Sequence, residues 1–475
     1  MLNYIWLALI LLAVLIGGFD GRIKELAEGA VEGAKTAVTL ALGLIGIMTL
    51  WLGVMRLAER SGLVQALARG LQPVLRRLFP DVPVEHPAMG AMVMNIAANM
   101  LGLSNAATPL GLRAMRDLES LNLAPGTATN AMCTFLAINT SSVQLIPITA
   151  VAILAAAKSA NPSAIIGTAF LATLCAAVSA IVAVKTFEKL KLFGGPQVDH
   201  EATEVKSSSS AASQGNDNAA AGLEALKVAP MPAWGGGVLL MFAACFVWFF
   251  LTLAFPAVAE QIVKLVENLL RLLLSFFKLS LRAFDLHFVD PNAAQETALV
   301  RSVKAISLLA IPFLLAFFPL YAVLRRVAVY EEFVDGAKEG FNVAVRIMPF
   351  LVAMLVAIGM FRGAGGVDLL TRALSPVLDL VHFPAELLPI SLMRPLSGSA
   401  SLAIFSELVK QYGPDHLISR TAGTLYGSTE TTFYVIAVYF GSVGVKRTRH
   451  AIPAGLIADA VGVIASVIIC RLVFG

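Results

Sequence analysis

Charged residues are what this 475-residue chain has least of. Only 14% of its residues are Asp, Glu, Lys or Arg, whereas a soluble domain carries roughly 25%. By contrast, 58% of the residues are hydrophobic and the mean hydropathy is +0.80. The net charge is only +4 and no basic tract occurs, so we expect no nucleic-acid partner. This composition is typical of a protein embedded in a lipid bilayer.

Cysteine and histidine are also scarce. The four cysteines are scattered, mostly within apolar segments, and neither they nor the six histidines form a cluster with the spacing of a metal site. The chain has no Ser/His/Asp arrangement and no phosphate-binding loop. We therefore expect no enzyme activity and no resident cofactor or metal, although coupling to Na+ or H+ stays open.

Apolar stretches long enough to cross a bilayer, about 17–25 residues each, recur along the chain. They are 37–55, 162–184, 235–255, 305–324, 342–361 and 451–474. Residues 4–18 are shorter but lack a preceding basic residue and a cleavage motif, which predicts an uncleaved first span. Residues 261–283 carry charges at helical spacing, which favours an amphipathic helix at the membrane surface.

The chain contains an internal duplication. A shift of 303 residues places SGLVQALARGLQPVL (61–75) on AGGVDLLTRALSPVL (364–378) without a gap, and EGAK (32–35) on DGAK (335–338). Farther along, a shift of about 290 places AINTSSVQLIP (137–147) on GSTETTFYVIA (427–437). Each repeat is predicted to contain an amphipathic surface helix and a broken span. The predicted parts of the chain are a first membrane repeat (1–193), a disordered linker (194–222), an extra span with the interfacial helix (223–300) and a second membrane repeat (301–475).

Basic residues suggest how the two repeats are oriented. VKRTRH (445–450) precedes the last span of the second repeat, whereas Lys185, Lys189 and Lys191 follow the last span of the first. Because basic residues concentrate on one side of a membrane, equivalent loops are predicted to face opposite sides. The predicted fold is an all-α polytopic membrane protein with two inverted repeats, the architecture of many secondary transporters.

Polar clusters interrupt the apolar segments at 95–108, 134–144, 393–407 and 426–434. Within hydrocarbon, such groups are tolerated only where protein buries them or where they line a watery cavity. The clusters recur at matching places in both repeats with different residue types, which favours a shared site for an asymmetric polar solute. The candidate substrate-binding residues are Asn99, Ser104, Asn105, Asn139, Thr140, Ser141, Gln144, Arg394, Ser397, Ser399, Ser428, Thr429, Glu430 and Tyr434.

Each candidate also has a purely structural explanation. Single Ser and Thr residues in membrane helices usually bond their own backbone or a neighbouring helix, and Asn99 is equally well explained as a helix–helix contact. Glu430 is more strongly indicated, because a carboxylate within a membrane segment is costly. It is interpreted as a proton carrier or a ligand, with a salt bridge, for example to Arg394, as the alternative. Glu407, near a helix end, is expected to be solvated.

Three motifs carry a resemblance to a known family: NMLGLSNAATPLG (99–111), RPLSGSAS (394–401) and GSTETTFY (427–434). The first half of the chain resembles spore maturation protein A and the second half resembles spore maturation protein B. Both belong to the membrane "nucleoside recognition" or Gate group, which is related to concentrative nucleoside transporters. The run Ser428-Thr429-Glu430 is similar to the Gln-Thr-Glu-Ala-Pro run of those transporters, although Ser replaces Gln and Thr431-Thr432 replaces Ala-Pro.

The resemblance implies two Gate-type repeats with re-entrant or broken helices and a role for Glu430 in binding a nucleoside-like solute. It also implies a multi-pass protein of the bacterial inner (cytoplasmic) membrane that transports this small-molecule solute by alternating access, driven by H+ or Na+. The alternative is a non-transporting scaffold or receptor in the cell envelope or in spore maturation. Whether the chain forms a homo-oligomer stays open.

Overall fold

The structure is a computed structural model that describes residues 2–83, 85–102, 104–190, 229–258, 260–262, 297–366 and 383–475, together with Leu369 and Arg372. Within these residues it contains helices and no strand. Six of the described helices are long and apolar enough to cross a membrane. The chain is therefore an all-α polytopic membrane protein, as predicted. The predicted linker (194–222), most of the predicted interfacial helix (261–283) and most of the second surface helix (366–381) lie outside the described residues.

The helices of the first repeat and of the following segment are, in chain order, α1 (Leu2–Phe19), α2 (Ile23–Arg60), α3 (Leu63–Leu78), α4 (Pro87–Met100), α5 (Ser104–Glu119), α6 (Asn130–Ser141), α7 (Ile148–Ala156), α8 (Ile165–Glu188) and α9 (Gly235–Ala254). Those of the second repeat are α10 (Ala298–Leu324), α11 (Val329–Gly363), α12 (Leu388–Met393), α13 (Gly398–Tyr412), α14 (Leu417–Ser428), α15 (Thr432–Ser442) and α16 (Ala451–Phe474).

Capping side chains define where the helices near the polar clusters begin. Thr129 Oγ1 accepts a hydrogen bond from the Met132 amide at 3.2 Å at the start of α6, and Ser397 Oγ accepts one from the Ala400 amide at 3.2 Å at the start of α13. His416 caps α14 in the same way. Such caps satisfy amides that have no partner within the helix. They position α6 and α14, the two helices that end at the polar clusters.

The equivalent helices α2 and α11 pack against each other in opposite directions. A Cβ added at Gly33 would overlap the Leu355 carbonyl, and one added at Gly336 would lie 2.5 Å from the Leu52 carbonyl oxygen. Gly33 matches Gly336 and Leu52 matches Leu355 under the 303-residue shift, so these two contacts are symmetric copies of one another. Small residues permit this close approach of two membrane helices. Antiparallel packing of equivalent helices is the relation that inverted repeats require.

Two details of the helices differ from the predictions. The charged connections before the spans 37–55 and 342–361 are helical, so α2 and α11 extend well beyond the apolar stretches. Helix continues there because each helix packs along the other, and ion pairs such as Arg56 with Glu332 at 3.2 Å join them. The prediction that Glu407 is solvated is wrong: it is only 7% exposed and pairs with Arg362 of α11.

The predicted broken spans are confirmed as two interrupted helices. The first break, residues 142–147, separates α6 from α7, and the second break, residues 429–431, separates α14 from α15. The helix ends match Ser141 with Ser428, a shift of 287 rather than about 290. The first break is longer than the second, and an alignment without gaps cannot represent this difference.

Candidate functional site

The two breaks touch each other in the interior of the protein. Ser142 has a left-handed φ of 31° and ends α6, and the chain becomes helical again only after Pro147. Gly427 packs against that proline so closely that an added Cβ would lie 2.5 Å from the Pro147 Cβ. The Glu430 amide donates a hydrogen bond to the Thr140 carbonyl at 2.8 Å. The site is therefore built from both repeats, with irregular backbone satisfied by protein groups, as a membrane interior requires.

The Glu430 side chain connects residues of both repeats. Its Oε1 accepts a hydrogen bond from Gln144 Nε2 at 3.0 Å, and its Oε2 lies 3.9 Å from Arg394 Nη2. The Glu430 side chain is 38% exposed, whereas that of Arg394 is 4% exposed. Glu430 thus makes the salt bridge considered from the sequence and still presents part of its carboxylate to the surroundings. A group that is both anchored and accessible is suited to binding a solute or a proton.

Arg394 contacts the backbone of the second break and stabilises it. Its Nη2 donates to the Thr429 carbonyl, and its guanidinium lies 4.5 Å from the centre of the Tyr426 ring. The Phe433 amide donates to the Pro395 carbonyl at 3.0 Å, which ties the start of α15 to the same segment. A buried guanidinium is stable only when charge and hydrogen bonds compensate it, and Glu430, the carbonyl and the ring supply this compensation.

An amide ladder lies beside the first break. Asn99 Nδ2 donates to Asn139 Oδ1 at 2.9 Å, and Asn139 Nδ2 donates to the Phe135 carbonyl at 2.9 Å. Asn95 Nδ2 donates to the Ala107 carbonyl at 2.7 Å. Asn95 and Asn139 are buried and Asn99 is half-buried. The ladder joins α4, α5 and α6, and Asn99 is its accessible member.

Several predicted site residues hold the backbone of the site. Ser141 Oγ and Ser428 Oγ each donate to the carbonyl three residues earlier, and Ser397 caps α13. Thr140 contributes its carbonyl, and Ser399 Oγ lies 3.3 Å from Ser397 Oγ. These contacts match the structural explanation of such residues in membrane helices.

One predicted residue does not join the cluster, and two others have side chains outside the described set. Tyr434 is 59% exposed and forms no hydrogen bond within the part of the chain that the structure describes. Ser104 and Asn105 lie at the start of α5, and their side chains are outside the described set. The groups that the structure brings together around the breaks are therefore Gln144, Arg394, Thr429, Glu430 and the amide ladder.

Sequence reasoning missed Asp459. This residue lies in α16, is 3% exposed, and its Oδ2 accepts a hydrogen bond from Thr432 Oγ1 at 2.5 Å. Its Oδ1 has no partner among the described residues. The signal was present, because Asp459 falls inside the predicted span 451–474, where a carboxylate is as costly as Glu430.

Two further features bear on what the site can bind. Among the described residues, no group of three or more His, Cys, Asp or Glu side chains could hold a metal ion. A cavity of about 1010 Å³ lies between α10 and the ends of α14 and α16, lined in part by Asn161, Arg420 and Phe474, and it includes none of the predicted site residues. The breaks, with their converging polar groups, carry the chemistry, so we place the candidate site there rather than in that cavity.

Comparisons with known proteins match this arrangement. A family model named Gate and described as nucleoside recognition matches residues 41–158 and 344–446. Spore maturation protein B of Bacillus subtilis (strain 168) is 46% identical over 173 residues, which cover 36% of this chain and 97% of that protein. Spore maturation protein A of the same organism is 41% identical over 187 residues, which cover 39% of this chain and 95% of that protein. No solved structure matches the chain.

Each region matched by the family model contains one of the two helix breaks. The first region includes Asn99 and residues 142–147, and the second includes Arg394 and residues 429–431. Asp459 lies beyond both regions. The duplicated family match therefore coincides with the duplicated break that forms the site.

Proposed function

We propose a function from one premise, which is that this chain belongs to the spore maturation protein A and B family of Gate membrane proteins. The proposed function is ion-coupled secondary transport of a small polar solute, with nucleoside-like compounds favoured. The observation that carries it is the junction of the two breaks, where Gln144 and Arg394 hold the partly exposed carboxylate of Glu430.

The chemistry of the junction suits a neutral or zwitterionic solute with several hydroxyl or amide groups. Glu430 offers a carboxylate acceptor, and Asn99 and Gln144 offer amide donors and acceptors from the first repeat. Arg394 is already engaged by Thr429 and Glu430, so its charge is compensated before any solute arrives. A polyol such as a ribose fits this balance better than a free anion. The description of the Gate family model as nucleoside recognition supports the same choice.

The proposed mechanism is alternating access of one repeat relative to the other. At the junction the repeats contact each other through the Glu430–Thr140 hydrogen bond, the Gln144–Glu430 hydrogen bond and the Gly427–Pro147 contact, among others. A site formed from both repeats changes shape whenever one repeat moves. The driving energy is proposed to come from an H+ or Na+ gradient, because the sequence contains no ATP-binding motif.

Other proposals follow from membership of this family and from the composition. We place the protein in the bacterial inner membrane, with a small-molecule solute and the lipid bilayer as its partners. No nucleic-acid partner, catalytic activity or resident cofactor is proposed. A homo-oligomer is compatible with the site, which is complete within one chain.

A second candidate function is a non-transporting scaffold or receptor in cell-envelope or spore maturation. The names of the two relatives favour it, since both are spore maturation proteins. A scaffold does not need a partly exposed carboxylate at a junction of broken helices. It should therefore tolerate substitution of Glu430 without loss of its role.

A ligand screen on the purified full-length chain tests the proposal. Thermal unfolding is followed with panels of nucleosides, amino acids and dipeptides, for the wild type, Glu430→Gln and the control Glu332→Gln, whose carboxylate pairs with Arg56 away from the site. We expect at least one nucleoside to raise the unfolding temperature of the wild type and the control but not that of Glu430→Gln. Identical responses of the wild type and Glu430→Gln to every compound would reject the site.

A transport assay then separates the two candidate functions. The full-length chain is reconstituted into liposomes, and uptake of the radiolabelled compound identified in the screen is measured with and without a proton or sodium gradient. Gradient-dependent uptake by the wild type supports transport. Binding without uptake under either gradient favours a receptor.

A further inference from the structure

We propose that Asp459 is the proton-carrying residue of this protein and that it takes up H+ on Oδ1 at the second helix break. This inference deepens the proposed function, on which it rests, by naming the coupling ion and the group that carries it. Glu430 then remains free to contact the solute.

The residues around Asp459 donate a hydrogen bond to one of its carboxylate oxygens and leave the other oxygen without one. Oδ2 accepts the short hydrogen bond from Thr432 Oγ1, at 2.5 Å, while Oδ1 is buried and has no hydrogen-bond partner among the described residues. A buried oxygen without a partner is rare in proteins and calls for an explanation such as a missing proton, water or ion. Protonation of Oδ1 would convert it from an unsatisfied acceptor into a donor.

An acceptor for that proton lies beside it. Thr429 neighbours Asp459, and its methyl group packs against Gly462, one turn farther along α16. Thr429 Oγ1 is also buried without a hydrogen bond. Thr429 Oγ1 is a hydroxyl, which can donate to the ionised Asp459 Oδ1 or accept from the protonated one, so the neighbouring group accommodates a proton on Oδ1. Because the Thr429 carbonyl is held by Arg394, the bond would join α16 to the second break.

The balance of charge favours uptake of one positive charge. The group contains one guanidinium, Arg394, and two carboxylates, the partly exposed Glu430 and the buried Asp459, so its net charge is −1 when both acids are ionised. Arg394 attracts the Asp459 carboxylate and Glu430 repels it. Binding one proton makes the group neutral, and a neutral group is the cheaper state within a membrane.

Among the described residues, the helices packed against α16 supply no other carboxylate near the middle of the span. Their titratable side chains are Cys133 on α6, Cys175, Lys185 and Glu188 on α8, Arg301, Lys304 and Tyr321 on α10, Arg420 and Tyr426 on α14, and Tyr434 and Tyr439 on α15. Glu188 lies at the very end of α8, where its carboxylate accepts a hydrogen bond from Lys185 Nζ at 3.0 Å. Among the described residues, Asp459 and Glu430 are therefore the two carboxylates at the junction.

The first repeat provides an internal comparison. The bounds of α8 and α16 place Thr173 at the position of Asp459. Thr173 Oγ1 donates to the carbonyls of Ser141 at 2.9 Å and Ser142 at 3.0 Å, which ties α8 to the first break. A hydroxyl group is thus sufficient to connect α8 with the first break. The second repeat has an acid at this place, which packing alone does not require.

Infrared difference spectroscopy of the purified full-length chain in lipid nanodiscs tests the inference. Spectra are recorded as pH is lowered, without any solute, for the wild type, Asp459→Asn and the control Asp335→Asn, which removes an exposed acid paired with Lys338. We expect a carbonyl band of a protonated carboxylic acid that grows as pH falls in the wild type and the control. The other carboxylic acids of the chain give bands of the same kind when they are protonated, so the Asp459 component is the part of the wild-type signal that is missing from the Asp459→Asn spectrum.

Thermal unfolding across the same pH range provides the second readout. Asp459→Asn mimics the protonated acid, so we expect it to unfold at or above the wild-type temperature and to be less sensitive to pH. A lower unfolding temperature at every pH would overturn the inference, since Asp459 would then act as a permanent charged partner of Arg394. A carbonyl signal of the same shape and intensity in Asp459→Asn and the wild type, or an Asp459 component that responds to Na+ at constant pH, would also overturn it.

The infrared and uptake measurements separate failure of the proton site from failure of the proposed transport function. The infrared measurement requires no solute, so a titrating Asp459 without solute binding would reject the proposed transport of nucleoside-like compounds and leave the proton site standing. Solute uptake that is equally proton-driven in the wild type and Asp459→Asn would reject the proton site and leave transport standing.

Discussion

Gln144 and Glu430 form a side-chain hydrogen bond of 3.0 Å that links the two repeats at their helix breaks. The amide belongs to the first break and the carboxylate to the second, so the bond exists only while the repeats keep their present arrangement. Exchanging the two side chains tests whether this bond holds the repeats together.

Gln144→Glu should lower the unfolding temperature because it places a second carboxylate next to Glu430. Like charges at this distance disfavour one another, and the lost hydrogen bond contributes about 1 kcal/mol. The double variant Gln144→Glu/Glu430→Gln restores one amide and one carboxylate, so we expect it to recover most of the stability. Thermal unfolding of the single and double variants measures both effects. A double variant no more stable than Gln144→Glu would contradict the role of this bond.

The amide ladder gives a second prediction. Asn139→Leu removes the acceptor of Asn99 and the donor to the Phe135 carbonyl, leaving polar atoms without partners in a buried place. An unsatisfied buried group costs about 1–3 kcal/mol, so the unfolding temperature should fall clearly. Thr186→Val is the control, because Thr186 is exposed and bonds only the Val182 carbonyl of its own helix. Equal decreases in unfolding temperature for the two substitutions would indicate that the amide ladder does not contribute to stability.

The predicted and observed site residues differ for physical reasons. Glu430 was predicted because a carboxylate in a membrane segment is costly, and the structure places it at the junction of the breaks. Asp459 carries the same signal, but it lies in a span whose other residues are almost all apolar, away from any polar cluster. A prediction based on polar clusters therefore includes Glu430 and omits Asp459. In the structure, α16 places Asp459 next to the second break.

The fold was predictable to the extent that it depends on local sequence. Apolar length predicted the spans and the internal duplication predicted their repetition, and both are present in the structure. The length of α2 and α11 depends on how these helices pack together, which hydropathy does not report. Burial of Glu407 depends likewise on Arg362, which is distant in the sequence. Long-range contacts of this kind are what the sequence leaves undetermined.

The symmetric glycines of α2 and α11 give a third prediction. Gly33→Val and Gly336→Val should each destabilise the protein, by about 1–3 kcal/mol or more, because either side chain would overlap the facing helix backbone. The two effects should be similar, since the two contacts are equivalent. Gly46→Val, on the same α2 helix, is the matched control because an added Cβ at Gly46 meets nothing within 4 Å. Unfolding temperature and the yield of folded protein measure the difference. If Gly46→Val were as harmful as Gly33→Val, helix propensity rather than close packing would be responsible.

Asp415 gives a prediction about pH. It lies in the connection between α13 and α14 and binds the first repeat, accepting hydrogen bonds from Ser159 Oγ at 2.7 Å and from the Ala160 amide at 2.9 Å. Burial alone would raise the pKa of Asp415, but these two hydrogen bonds and the Arg420 guanidinium outweigh it and lower the pKa below its usual value. A carboxyl with a lowered pKa in the folded state stabilises the protein above its unfolded pKa. This stabilisation is lost as pH falls through the lower, folded value.

We therefore expect the difference in unfolding temperature between the wild type and Asp415→Asn to be largest near neutral pH and to shrink in acid, below the usual range of an aspartate. The Asp415 side chain is 38% exposed, so solvent screening limits the neutral-pH difference to about 1 kcal/mol. Thermal unfolding of both proteins over a pH series in the same detergent measures it. Asp335→Asn is the comparison for an exposed carboxylate, because its ion pair with Lys338 lies within one helix and does not join the repeats. A difference between wild type and Asp415→Asn that grows on acidification would reverse the predicted sign and exclude Asp415 as an ionised tether between the repeats.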